Sequence, residues 1–273
     1  MFDIGLSTNG NKDWAEFFRG CAGAGIYYSE LSPSQGRYGE VDFALVKRLA
    51  DENGVRLWSF HLPFMPFEDY DISSLDEALR RRTVDYCTEL IKKAAGIGID
   101  KYVIHPSAEP IAPEDRKARM EASKQSLSEL AEISAGCGGV ICVEDLPRTC
   151  LGNCSADMTE LLGADDRLRV CFDTNHLLFE NEAEFVKKTG GKIVTLHVSD
   201  RDASDERHWL PGEGVIDWTA LYSALVSVGY SGVWMYELSL GPKPAAGRKR
   251  DLTYADLVEN ARSIFGGEKP YVV

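Results

Sequence analysis

Eight short runs rich in β-branched and aromatic residues, at 3–7, 26–31, 55–61, 101–105, 140–144, 168–173, 193–199 and 233–237, alternate with longer amphipathic stretches such as 74–98 and 114–136. This alternation constrains the fold more than any other feature of the chain. The runs are nearly continuous in apolarity (Val140-Ile141-Cys142-Val143, Ile193-Val194-Thr195-Leu196), as strands covered on both faces require. Several helical stretches end in glycine just ahead of the next run, the usual stop before a short return loop. Repeated strand–helix units imply parallel strands joined by right-handed crossovers, and eight is the number that closes a barrel. The expected fold class is therefore α/β, a closed parallel eight-stranded (β/α)8 barrel. A length of 273 residues suits one domain over 1–273. No Pro-, Gly- or Ser-rich linker divides the chain. Residues 241–250 are the one low-complexity candidate, expected as a long loop after the eighth strand; Arg248, Lys249 and Arg250 read as a solvated cluster in preference to a phosphate site, which barrels often place near strands seven and eight.

Seven of the eight runs finish at or beside a side chain that binds metals or moves protons: Glu30, His61, His105, Glu144, Asp173, His197 and Glu237. The gaps between neighbours run from 24 to 44 residues, about one strand–helix unit each. In a barrel the C-terminal strand ends converge on one mouth, so these distant residues become neighbours. Repeating the cost of a charged group beside a buried strand is hard to explain unless the groups are solvated, paired or bound to metal. All five histidines fit this frame. His176 follows Asp173 by three residues, and His208 lies in the loop after the seventh strand. The tightest subset is Glu144, Asp173, His197 and Glu237. Mixed carboxylate and imidazole donors suit Mn2+, Zn2+, Mg2+ or Co2+, and the absence of cysteine from the set argues against a closed structural zinc. Four protein donors on an octahedral ion leave two positions, which a 1,2-hydroxycarbonyl compound can fill. Trp209 is the expected substrate wall, with Trp14, Phe64 and Phe67 either walling the mouth or packing under loops. Glu30 reads equally as a partner of a ligand or as a barrel-end ion-pair residue.

Composition narrows the partners. Asp and Glu number 43 against 30 Lys and Arg, a formal charge of -13, which speaks against a long sequence-independent grip on nucleic acid. No apolar run is long enough to span a bilayer. The first residues, Met1-Phe2-Asp3-Ile4-Gly5-Leu6, put an acid third with no basic segment before an apolar run, so no secretion signal is expected. Seven cysteines, an odd count in a chain of this size, then imply free thiols and a cytoplasmic location.

The elements Phe60-His61-Leu62-Pro63, Ile104-His105-Pro106, Val143-Glu144-Asp145, Phe172-Asp173-Thr174-Asn175-His176, Leu196-His197-Val198-Ser199-Asp200, Leu210-Pro211-Gly212-Glu213-Gly214 and Tyr236-Glu237, in this order and spacing, resemble the xylose isomerase-like TIM barrel superfamily, and within it the sugar phosphate isomerase/epimerase group. The resemblance spans nearly the whole chain. It implies metal ligation by Glu144, Asp173, His197 and Glu237, with Glu144 and Glu237 as the catalytic pair. One glutamate would take a proton from the carbon beside a ketone, the metal would steady the enediolate, and a proton would return to the neighbouring carbon (isomerisation) or to the opposite face of the same carbon (epimerisation). It further implies substrate contacts from His61, His105, His176 and His208, a small-molecule sugar or sugar phosphate as partner, and a homo-oligomer, since barrels of this group often pair.

The same superfamily holds endonuclease IV, an abasic-site nuclease with three zinc ions. Its nine ligand positions are matched by His61, His105, Glu144, Asp173, His176, His197, Glu206, His208 and Glu237, with Glu206 standing where the nucleases carry aspartate. A zinc phosphodiesterase on abasic DNA, with His61, His105, His176, Glu206 and His208 as extra ligands, is thus the alternative. A keto-polyol dehydratase and a non-catalytic sugar-binding module are the others. The net charge, and a loop over 32–40 whose only basic residue is Arg37, favour the sugar enzyme.

Overall fold

The computed structural model describes residues 1–11 and 13–273. Its eight parallel strands are β1 (Ile4–Ser7), β2 (Tyr28–Leu31), β3 (Arg56–His61), β4 (Lys101–Ile104), β5 (Val140–Glu144), β6 (Arg169–Asp173), β7 (Ile193–His197) and β8 (Trp234–Tyr236). They form one sheet in the order β7-β6-β5-β4-β3-β2-β1-β8. The remaining seam, between β7 and β8, is bridged just past β7 by Val198 opposite Tyr236, with Val198 N–H donating to the Met235 carbonyl at 2.8 Å. The sheet thus comes round on itself as the expected barrel, with strands one or two residues shorter at several ends than the apolar runs suggested.

Eight helices cover the outside: α1 (Trp14–Ala24), α2 (Phe43–Glu52), α3 (Glu77–Gly96), α4 (Arg116–Gly136), α5 (Ser155–Leu162), α6 (Glu182–Thr189), α7 (Trp218–Ser227) and α8 (Tyr254–Phe265). Asp13, Asp42, Asp76 and Asp217 stand at the N-caps of α1, α2, α3 and α7 and accept from backbone N–H groups of the first turn, satisfying donors the helix itself leaves orphaned.

The period-two alternation of a strand sorts the side chains. Tyr102, Ile104, Ile141, Val143, Val170, Phe172 and Leu196 join the large apolar shell between sheet and helices, whereas Val103, Cys142 and Cys171 form a separate small cluster inside the cylinder. Two residues beyond those inner positions come His105, Glu144 and Asp173. The candidate site residues therefore share the inward parity of their strands, one step nearer the C-terminal mouth.

Residues 241–250 are less loose than expected. They contain a 3-10 turn, Pro244–Ala246, and a bridge between Lys243 and Arg248. Arg248 is buried beside Glu213 at 3.5 Å and donates to the Ser239 carbonyl, while Arg250 pairs with Asp256. The solvated cluster read from the sequence is corrected here: two of its three cations are committed to local acceptors.

Candidate active site

Glu144 ends β5 and is the hub of the mouth. Its Oε1 lies 3.0 Å from His197 Nδ1, and its Oε2 lies 3.2 Å from both His61 Nε2 and His105 Nε2. His197 Nδ1 is also 3.1 Å from Glu237 Oε2 and 4.0 Å from Asp173 Oδ2. Donor atoms of Glu144, Asp173, His197 and Glu237 all fall within 4.8 Å of one another. Glu144, Asp173 and His197 are at most 1% exposed, so this is three carboxylates and an imidazole largely out of water.

Electrostatics register the crowding. Burial pushes the Asp173 carboxyl up to about 6, with the Glu237 and Glu144 charges adding to the rise and His176 opposing it. Burial also raises Glu144, but His197 and His105 outweigh it and hold the group well below the ordinary carboxylate range. Burial lowers His61, yet the bond to Glu144 and the surrounding acids bring it to about 9. His105, stacked on Phe64 at 4.0 Å between ring centroids, is shifted the other way, its burial winning over Glu144.

A second donor group stands beside the first. His176, Glu206 and His208 place ligand atoms within 4.8 Å of one another. His176 Nδ1 binds the Asp145 carbonyl at 2.8 Å and its Nε2 meets Glu206 Oε2 at 3.0 Å. Arg148 fixes Glu206 from the other side: its Nη1 donates to Glu206 Oε1 at 2.9 Å and to Asp205 at 2.7 Å, while Nε and Nη2 clasp Glu109. Arg148 and His208 are non-glycine residues at positive φ, 54° and 50°, and both line the same cleft. Strained backbone of this kind persists where surroundings over-determine it.

The long loop between β7 and α7 owes its shape to Asp200. That carboxylate accepts from the backbone N–H groups of Arg201, Gly212 and Ile216 and from Trp218 Nε1. Gly214 packs so closely that a Cβ there would sit 2.1 Å from the Arg201 carbonyl and 2.3 Å from Asp200 Oδ1, which explains the Leu210-Pro211-Gly212-Glu213-Gly214 motif. Asn175 Oδ1 accepts from the N–H groups of Arg207 and His208, anchoring the same loop.

The cleft over both groups has a volume of about 280 Å³. His61, His105, Glu144, His176, Glu206, His208 and Glu237 line it, faced by Phe64, Met65, Phe67, Leu146 and Pro147. The expectation for Trp209 needs correction. Its backbone bridges to Asp200, its side chain is buried, and it is not among the lining residues. The apolar wall comes instead from the β3 and β5 loops, and Trp14 lines a separate hollow with Asn11 and Ser34. Sequence reasoning missed Arg148 and Glu109 altogether; neither carries a signal until the loops meet.

Residues 18–256 match the sequence profile of the family described as xylose isomerase-like TIM barrel. The chain belongs to this family. An uncharacterised protein of Methanocaldococcus jannaschii is 30% identical over 177 residues, 62% of this chain and 60% of that protein, so the match spans less than two thirds of that relative. An L-ribulose 3-epimerase of Mesorhizobium japonicum is 28% identical over 260 residues, 88% of this chain and 82% of the relative. Among solved structures, a D-tagatose 3-epimerase-like protein superposes on this family member with a TM-score of 0.82 at 23% identity, covering 97% of each chain. Among the described residues, no helix is long and apolar enough to cross a membrane.

Proposed function

We propose that the chain works as one barrel domain and is a divalent-metal-dependent sugar epimerase or isomerase. One observation carries the reading. Asp173 Oδ2 is buried with no hydrogen-bond partner among the described residues, yet it belongs to a group of donor atoms within 4.8 Å that also holds Glu144, His197 and Glu237. A buried carboxylate oxygen left bare costs too much to be kept for packing alone, and a hard cation is what three carboxylates and one imidazole have in common as a partner. Mn2+, Mg2+, Co2+ and Zn2+ all suit this donor set, and its residues fit such an ion. When bound there, the ion supplies a Lewis acid for negative charge developing on a substrate oxygen.

The protein's own groups then divide the work. Glu144 and Glu237 reach the site from different strands and flank His197 Nδ1. One takes the proton from the carbon beside the ketone and the other returns a proton to the opposite face of that carbon, or to its neighbour. His61 and His105 hold Glu144 Oε2 and so fix which oxygen is free to act. His176 and His208 supply donors for substrate hydroxyls, and the wall of Phe64, Phe67 and Leu146 excludes water from the reacting carbon.

The substrate class that fits is an unphosphorylated keto sugar. Arg148, the only Lys or Arg among the described residues lining the cleft, is already shared by Glu109, Asp205 and Glu206. The L-ribulose 3-epimerase relative is named for such a sugar. Incubation with L-ribulose or D-tagatose in deuterated water tests the proposal: deuterium should enter at carbon, and loss of water from the sugar would instead indicate a dehydratase.

A second reading has one specific observation in its favour. The group of His176, Glu206 and His208 would complete the set of nine ligands that resembles endonuclease IV. Cleavage of an abasic-site duplex without carbon–deuterium exchange, together with three bound zinc ions, would establish that phosphodiesterase and end the sugar proposal. The formal charge of -13 weighs against it.

A further inference from the structure

Glu30, next to last in β2, is fully buried, yet it belongs to neither donor group. Its Oε2 accepts from Ser59 Oγ at 2.8 Å and from His197 Nε2 at 3.0 Å, and its Oε1 accepts from Ser7 Oγ at 3.2 Å. Side chains from β1, β3 and, across the barrel, β7 thus converge on one carboxylate at the floor of the mouth. An apolar side chain of similar volume would fill the same space without the desolvation that a buried charge incurs, so packing does not account for it. What the carboxylate does hold is the far nitrogen of His197, whose near nitrogen faces Glu144 and Glu237 at 3.0 and 3.1 Å.

An imidazole presents a lone pair on one nitrogen only when the other carries its hydrogen, and the partner of the second nitrogen decides which. We propose that Glu30 is a positioning residue for the cation site. By accepting the Nε2–H of His197 it fixes the ring plane and the tautomer so that the Nδ1 lone pair points at Glu144, Asp173 and Glu237. Its negative charge also makes the imidazole a stronger donor to a cation. Ser59 and Ser7 in turn hold Glu30, so the arrangement is rigid across β1, β2, β3 and β7. Removing such an outer carboxylate typically weakens metal binding about 10- to 100-fold. This inference rests on the proposed cation site.

The test is Mn2+ titration by calorimetry on the wild type, Glu30→Gln and Glu30→Ala, with the melting temperature of each measured with and without Mn2+. Glutamine keeps the volume and still offers a carbonyl oxygen to His197 and Ser59, so it removes the charge while sparing the fold. Alanine removes the acceptor as well. The expected result is Mn2+ affinity falling about 10- to 100-fold in Glu30→Ala, with Glu30→Gln between it and the wild type. The Mn2+-induced rise in melting temperature should shrink in the same order. A purely structural role would lower the melting temperatures with and without Mn2+ in parallel and leave affinity unchanged, which would overturn the inference. If Glu30→Ala does not fold, Glu30→Gln alone decides between these outcomes. A wild type that binds no Mn2+ overturns the cation site itself, and the role of Glu30 with it; a binding wild type with unaffected variants overturns the role of Glu30 only.

Discussion

At the scale of single residues, the mouth is organised so that almost every ionisable group answers to another one on a different strand. Glu144 touches three histidines from β3, the end of β4, and β7. Replacing it, or Glu237, by glutamine keeps shape while removing a base. Either Gln variant should lose carbon–deuterium exchange by about a thousandfold or more, within the range that removing an acid–base group costs. Arg148 calls for a different expectation, since it acts through Glu206. Lysine preserves the charge but not the fork that spans Glu109, Asp205 and Glu206, so Arg148→Lys should raise KM by roughly tenfold while kcat moves little. Deuterium exchange on the two Gln variants and steady-state kinetics on Arg148→Lys check these expectations. Glu144, Asp173, His197 and Glu237 were legible in the sequence because the strand period and the strand-end position are local properties of the chain. Arg148 and Glu109 were not, and Glu30 was legible only as one of two equal readings, a partner of a ligand or a barrel-end ion-pair residue. Their partners lie 23 to 167 residues away, and no local pattern marks an arginine in a loop as the tie between two other loops. Trp209 misled for the converse reason: its place next to His208 in sequence said nothing about which of the two side chains the loop would bury.

At the scale of elements, the apolar runs and glycine stops predicted the strand–helix alternation well, and what escaped was the architecture of the loops. The segment between β7 and α7 is ordered by a buried aspartate, Asp200, whose four donors come from the backbone and from Trp218. Gly214→Ala forces a methyl group against that carboxylate and a backbone carbonyl. It should destabilise the protein by about 2 kcal/mol or more and displace His208, which urea unfolding and substrate affinity would report together. The start of α8 carries a reciprocal cap between Thr253 and Asp256, reinforced by Arg250. The Arg250 bond, against a smaller opposing effect of burial and with help from the Thr253 N–H, holds the Asp256 carboxyl below the ordinary carboxylate range. A carboxylate depressed in the folded state contributes stability above its unfolded pKa of about 3.9 and loses it as pH falls through the folded value. Asp256→Asn should therefore cost about 1 kcal/mol at pH 7, and the gap from wild type should close as the pH is lowered below about 4, as followed by thermal melts across that range.

At the scale of the whole molecule, a strongly acidic chain folds into a barrel whose mouth gathers still more carboxylates. The lining of the cleft sets Glu109, Glu144, Glu206 and Glu237 against a single arginine. Such a surface draws cations and repels phosphates, which unites the proposed metal dependence with the proposed neutral substrate. A bound ion should accordingly stabilise the fold: at a thousandfold excess over Kd, Mn2+ adds about 4 kcal/mol, and chelation should lower the melting temperature reversibly. The position of the ion decides between these possibilities. Anomalous diffraction from crystals grown with Mn2+ should give one dominant peak about 2.0–2.4 Å from donor atoms of Glu144, Asp173, His197 and Glu237 together. A crystal whose only peak lies among His176, Glu206 and His208, or one with no peak at the mouth, would contradict it.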